Sequence, residues 1–211
     1  MRADTRTGQL VQVSGAGVVA RKATMIVPEG LEEAVEVDGR WYGTVQERAG
    51  GFRVDQLGRG DPAVVYSFRS PPTDWRPVQD RAAVGRLDDK SLIVTSRFYP
   101  FQNAVIDRNG TVVLTFSPQL LGPESTDSLD SWLSLVSGPT IGLERGYLQT
   151  LSDPSSLRRL LVVYDSHGRT IRVNQRELPL SFVTRLPETA TVLSVQRLAR
   201  QEIVAYDWTW R

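Results

Sequence analysis

Apolar and polar residues alternate with a period of two along most of the chain, and a period near 3.6 is almost absent. "AVEVDGRWYGTV", "SLIVTS", "NAVIDRNGTVVLTF", "YLQTL", "LLVVYD" and "EIVAYDWTW" are short and rich in β-branched and aromatic residues. Alternation sends successive side chains to opposite faces of a strand. Turn residues bound most of these segments, so the pattern predicts strands. One stretch, "STDSLDSWLSLV" over 125–136, places Ser125 or Thr126 where it would cap a short helical turn. Helix and loop both fit it.

The strands repeat. "VIDRNGTVVLTF" (105–116) and "VVYDSHGRTIRV" (162–173) are one unit: an apolar strand ending in Asp, a polar turn ending in Gly, and a second β-rich strand. Asp107 aligns with Asp165 and Gly110 with Gly168. D-x-x-G suits a type I turn, because Asp accepts hydrogen bonds from the turn backbone and Gly tolerates positive φ. Looser copies appear in "FRVDQLGRGDPAVVYSF" (52–68) and "QLVQVSGAGVVARK" (9–22), and "IVAYDWTW" (203–210) repeats the first strand. Fifty residues separate Gly60 from Gly110 and 58 separate Gly110 from Gly168. Sheet-blade repeats run at about 40–50 residues. Four-stranded units are expected at about 32–68, 82–116, 139–174 and 180–210, with a partial unit at 9–27. The prolines fall between units, in "SPPTDWRP", "SPQLLGP" and at Pro179, where no central ladder needs their missing N–H.

The second copy of the turn holds Asp165, Ser166 and His167 in a row, and His167 is the one histidine of the chain. A catalytic nucleophile, base and orienting acid must form a hydrogen-bonded chain. Three consecutive residues of a tight turn diverge instead. The first copy has Arg108 and Asn109 in place of Ser166 and His167. What the two copies share is the turn, so the turn is what the spacing serves.

Composition narrows the function. The 211 residues are 40% hydrophobic and 23% charged, with 25 basic and 24 acidic side chains and a net charge of +1. There is no basic stripe of the kind a nucleic-acid binder needs, and Arg158–Arg159 is only a pair. The absence of cysteine excludes disulfides, thiolate catalysis and Cys-based zinc sites. No apolar run approaches the roughly 20 residues of a membrane-spanning helix, and "MRADTRTGQLVQVSG" lacks the apolar stretch of a signal peptide. On that basis the chain reads as cytoplasmic, or as periplasmic or extracellular if its N-terminus is truncated.

A repeated four-stranded unit of this size is the blade of a β-propeller. On "LDDKSLIVTSRFYPFQNAVIDRNGTVVLTF" (87–116), "LLVVYDSHGRTIRV" (160–173) and the terminal "EIVAYDWTW", the chain resembles bacterial six-bladed β-propeller proteins of the NHL and TolB-like groups. The resemblance spans roughly residues 30 to 210. It implies an all-β fold, one β-propeller domain over 1–211. Six blades of about 45 residues would need roughly 270, so the resemblance also implies a chain lacking N-terminal blades, or a five-bladed propeller.

Two functions are expected. The first is expected because no nucleophile–base pair, metal cluster or phosphate loop stands out in the sequence. The second is implied by the resemblance, since related propellers include calcium-dependent lactonases and esterases. The first is a non-catalytic binding scaffold for a protein, peptide or glycan, with no cofactor. The contact residues expected for it are Arg97 and Tyr99 of "RFYPF" and Trp75, since aromatics with Arg serve such contacts. Trp41, Trp208 and Trp210 are expected in the core between blades. The second is a hydrolase or lactonase whose calcium ion is held by channel carboxylates. Calcium takes six to eight oxygen ligands, and Asp88, Asp89, Glu144 and Asp153 are the carboxylates at loop positions. None of them forms a calcium-loop motif, and Asp88–Asp89 also reads as a plain β-turn.

Overall fold

A computed structural model describes residues 5–13, 19–47, 50–69, 81–119, 133–153, 159–176, 180–185, 191–197 and 201–207. Within them the molecule is all-β, as the alternation predicts: eighteen strands form five separate sheets in chain order. The proposed helical turn at 125–136 lies mostly outside the described residues, which take it up again at 133 with a two-residue strand following. No helix of the described residues is long and apolar enough to cross a membrane.

The first sheet pairs β1 (Thr5–Val13) with β2 (Val19–Pro28). The second runs β3 (Leu31–Val37), β4 (Arg40–Gln46), β5 (Phe52–Leu57) and β6 (Ala63–Phe68), each strand beside its chain neighbour. Its tightest turn is Asp38–Gly39, between paired Val37 and Arg40. Both turn residues have positive φ, 50° and 79°, the conformation a two-residue hairpin demands. The Glu36 carboxylate accepts the Gly39 N–H and closes the turn.

The third sheet runs β7 (Ala82–Arg86), β8 (Ser91–Ser96), β9 (Asn103–Asp107) and β10 (Val112–Phe116). In β8 and β9 nearly every residue is buried, on both faces of the sheet. Burial on both faces is why these strands carry apolar residues at successive positions, Leu92, Ile93 and Val94 in β8 and Ala104, Val105 and Ile106 in β9, and depart from the alternation expected of them. The outer strand β10 does alternate. In the fourth sheet, β13 (Gly146–Ser152), β14 (Arg159–Asp165) and β15 (Thr170–Arg176) form a meander. Two short strands, β11 (Val136–Ser137) and β12 (Ile141–Leu143), share the free edge of β13. The fifth sheet is β16 (Leu180–Arg185), β17 (Thr191–Arg197) and β18 (Gln201–Asp207).

The chain divides into two compact units, residues 1–92 with 106–113 and residues 93–105 with 114–211. In the first, Met25, Val27, Trp41 and Leu57 form a buried cluster backed by Leu10, Ala23, Leu31 and Ala34. Trp41 is therefore a core residue of that unit; Trp208 and Trp210 lie outside the described residues. In the second, Leu148 and Val163 pack with Ile141, Leu143 and Leu161 on one face of the fourth sheet. On its other face Phe116 meets the rings of Tyr147 and Tyr164 at 4.9 and 4.8 Å.

One spatial relation recurs. In the second, third and fourth sheets, the turn after β5, β9 and β14 meets the outermost strand of the sheet before it. Gly58 accepts a hydrogen bond from Ile26 of β2 at 2.8 Å. A Cβ added to Gly110 would lie 2.9 Å from Val65 of β6, and one added to Gly168 would lie 2.6 Å from Phe116 of β10. Glycine is required at 110 and 168 twice over. The backbone there has φ of 82° and 75°, which disfavours other residues, and a neighbour occupies the space a side chain would need.

Candidate functional site

The two D-x-x-G turns are built from the same bonds. Asp107 Oδ1 accepts the N–H groups of Asn109 at 2.8 Å and Thr111 at 2.9 Å. Asp165 Oδ1 accepts those of His167 and Arg169, both at 2.9 Å. In each turn the Gly N–H donates to the Asp carbonyl at 3.0 Å. These bonds to the charged form hold both carboxyls below the usual carboxylate range, led by the Thr111 N–H for Asp107 and the Arg169 N–H for Asp165. Asp165 turns its second oxygen to the Arg169 guanidinium at 2.7 Å, and Ser166 Oγ lies 3.4 Å from His167 Nδ1 on the exposed surface. The Asp-Ser-His run is occupied in making the turn.

Arg97 and Tyr99 lie in the loop between β8 and β9, residues 97–102, and both are half-buried with Phe98 and Pro100. Near the end of the loop stands Phe101, a fully buried side chain with φ of 56°. A bulky residue rarely adopts that conformation, and it persists only where surroundings fix it. Phe101 meets the Tyr99 ring edge-on at 6.0 Å, and its N–H donates to the Phe98 carbonyl at 2.8 Å. Trp75, the third expected contact residue, lies outside the described residues.

Beneath the loop is a set of buried polar groups that sequence reading missed. Asn103 Oδ1 accepts from Thr95 at 2.9 Å and from Thr140 at 2.7 Å. Asn103 Nδ2 donates to the Phe101 carbonyl at 3.2 Å and to Gln149 Oε1 at 3.1 Å. Gln149 Nε2 donates to Ser137 Oγ at 2.8 Å and to the same Phe101 carbonyl at 3.4 Å, and the Tyr164 hydroxyl donates to Gln149 Oε1. Ser137 also ties its N–H to the Arg97 carbonyl at 2.7 Å. Each of the two amides thus makes all four bonds it is capable of. Burial pushes the Tyr164 phenol far above its ordinary value, with the Asn103 amide opposing the shift, so Tyr164 stays protonated and donating. A satisfied network of this kind rigidifies what it touches, and it touches both ends of the loop, at Arg97 and Phe101.

The carboxylates considered for calcium do not converge. Asp88 Oδ1 accepts the Lys90 N–H at 2.7 Å, and Asp89 takes the Arg86 guanidinium on the exposed surface. They form the β7–β8 turn. Glu144 is exposed in the turn between β12 and β13, and the Asp153 carbonyl receives Arg159 at 3.3 Å. Among the described residues no three His, Asp or Glu side chains are grouped so as to hold a metal ion. Among the described residues the most buried carboxylate is Asp55, held by Arg53 Nε at 2.9 Å, with Glu47 3.7 Å from the same guanidinium.

No family model and no curated protein matches the chain. A solved structure of a protein of unknown function from Bacteroides caccae aligns over 95% of this chain and 90% of its own, with 12% identity and a TM-score of 0.36. A likeness at that level carries no argument about fold or function.

Proposed function

We propose that this chain is a β-propeller that binds a protein, peptide or glycan without catalysing a reaction, and that the 97–101 loop forms part of its contact surface. One observation carries the site: Asn103 and Gln149 fix the Phe101 carbonyl while Ser137 fixes Arg97. A loop held in one conformation gives up less freedom on binding. Its half-buried Arg97, Phe98 and Tyr99 are of the types that dominate contact energies. The propeller reading draws support from the three recurrences of the turn-to-outer-strand contact and from neighbour-to-neighbour strand order in sheets of about 40 residues.

The reading is tested by titration calorimetry of the full chain against two probes, neutral gluco-oligosaccharides and peptides containing tyrosine and proline. For a probe that binds, Arg97→Ala or Tyr99→Ala is expected to weaken affinity about tenfold or more without shifting the melting temperature. Unchanged affinity in both variants would exclude the loop. A melting temperature lowered in step with affinity would assign these side chains to the fold instead.

A further inference from the structure

Of the three asparagines, Asn103, Asn109 and Asn174, only Asn109 precedes a glycine. It sits exposed at the tip of the β9–β10 turn. Attack of a backbone nitrogen on the preceding side-chain amide is least hindered when that nitrogen belongs to glycine. We propose that Asn109 is a site of spontaneous deamidation, gated by opening of this hairpin. The Gly110 nitrogen bonds to Asn109 Cγ, the Cγ–Nδ2 bond breaks, and ammonia leaves with the amide proton. Water then opens the cyclic imide at either carbonyl, giving aspartate or its β-linked isomer.

The folded turn holds this reaction off. The Gly110 N–H is engaged with the Asp107 carbonyl at 3.0 Å, and the Asn109 N–H with Asp107 Oδ1 at 2.8 Å. Val65 closes on Gly110 from the other side. Once the turn opens and the chemistry occurs, re-closure is impaired for two reasons. Asn109 Nδ2 stands 3.5 Å from Asp107 Oδ2, so a new carboxylate there faces an existing one, and like charges at that range repel. The β-linked product also lengthens the backbone between Asp107 and Thr111, whose N–H and carbonyl both pair with Asp107. The modification is therefore an irreversible loosening of one turn-to-strand contact.

The test is peptide mass spectrometry, with separation of the β-linked isomer, after incubating the full chain at mildly alkaline pH in its native state and in urea. Asn109 is expected to react in urea well ahead of Asn103 and Asn174, and about tenfold or more slower in the native chain, since protection follows the cost of local opening. Asp107→Asn, which retains an acceptor at the turn but weakens it, is expected to speed the native reaction and leave the urea rate unchanged. Equal native and urea rates would overturn the gating. Comparable rates at all three asparagines in urea would overturn the site. If Asp107→Asn changed the native melting temperature without changing the rate, the turn would be structural only.

Discussion

At the scale of single residues, the side chains that matter most are two amides in apolar strands. Asn103 and Gln149 are fully buried, a position tolerated only when every donor and acceptor finds a partner. Replacing Asn103 with Ala takes the acceptor from both the Thr95 and Thr140 hydroxyls and leaves the Phe101 carbonyl with Gln149 Nε2 alone. The expected loss is about 3 kcal/mol or more, because each buried unsatisfied group costs about 1–3 kcal/mol. Urea unfolding measures it, and a loss below 1 kcal/mol would mean the network relaxes or takes in water. Tyr164→Phe removes one donor and leaves Gln149 Oε1 with Asn103, so about 1 kcal/mol is expected. The same residue sets an alkaline limit. Its phenol is raised in the folded state, so the stability it contributes is complete below the unfolded value near 10 and falls as pH climbs past it. Between about pH 10 and 11.5 the wild type should lose stability more steeply than Tyr164→Phe. Parallel curves would show that Tyr164 ionises without unfolding.

At the scale of elements, the hairpin turns were legible and the amide network was not. D-x-x-G is a local rule, satisfied by four adjacent residues, and Asp107 and Asp165 make the same bonds in the structure. The Asn103–Gln149 bond joins residues 46 apart in sequence, and no spacing announces it. The sequence does carry a faint sign: Gln149 interrupts "YLQTL" at an inward position, directly across from Val162. The turns also have an acid limit. Both carboxyls are lowered on folding, so the stability they lend is present above the unfolded value near 3.9 and is lost as pH falls through the lower folded value. The protection factors of the Thr111 and Arg169 amides, each rate taken relative to an unstructured peptide at the same pH, should fall below about pH 4, and Asp107→Asn should flatten the response at Thr111 alone. An equal response in the variant would assign the effect to other carboxylates. Gly168 and Gly39 separate packing from backbone strain. They have φ of 75° and 79°, but a Cβ at 39 meets nothing within 4 Å while one at 168 meets Phe116 at 2.6 Å. Both changes to Ala incur about 1–2 kcal/mol of left-handed strain; the excess at Gly168 measures the turn-to-strand contact, and equal losses would remove that contact from the repeat.

At the scale of the whole molecule, period-two alternation was enough to predict an all-β chain of repeated antiparallel sheets, because most strands pair with their neighbours in sequence. It could not supply ligands for a metal, since convergence of side chains from separate loops is a tertiary property. Asp88 and Asp89 illustrate the point: adjacent carboxylates look like a cation site on paper, yet one accepts the Lys90 N–H and the other binds Arg86. The scaffold reading and the calcium-hydrolase reading thus part company over one quantity, the stabilisation of the native chain by calcium. An ion that binds only the folded state at about 100 times its dissociation constant adds about 2.7 kcal/mol. For a domain of this size that is a rise of about 5–10 °C in melting temperature. Thermal unfolding of the full chain in calcium and in EDTA is expected to give the same midpoint, as befits carboxylates already committed to turns and ion pairs. A calcium-dependent rise of several degrees would overturn the scaffold reading, and the site would then have to be sought among residues other than Asp88, Asp89 and Glu144.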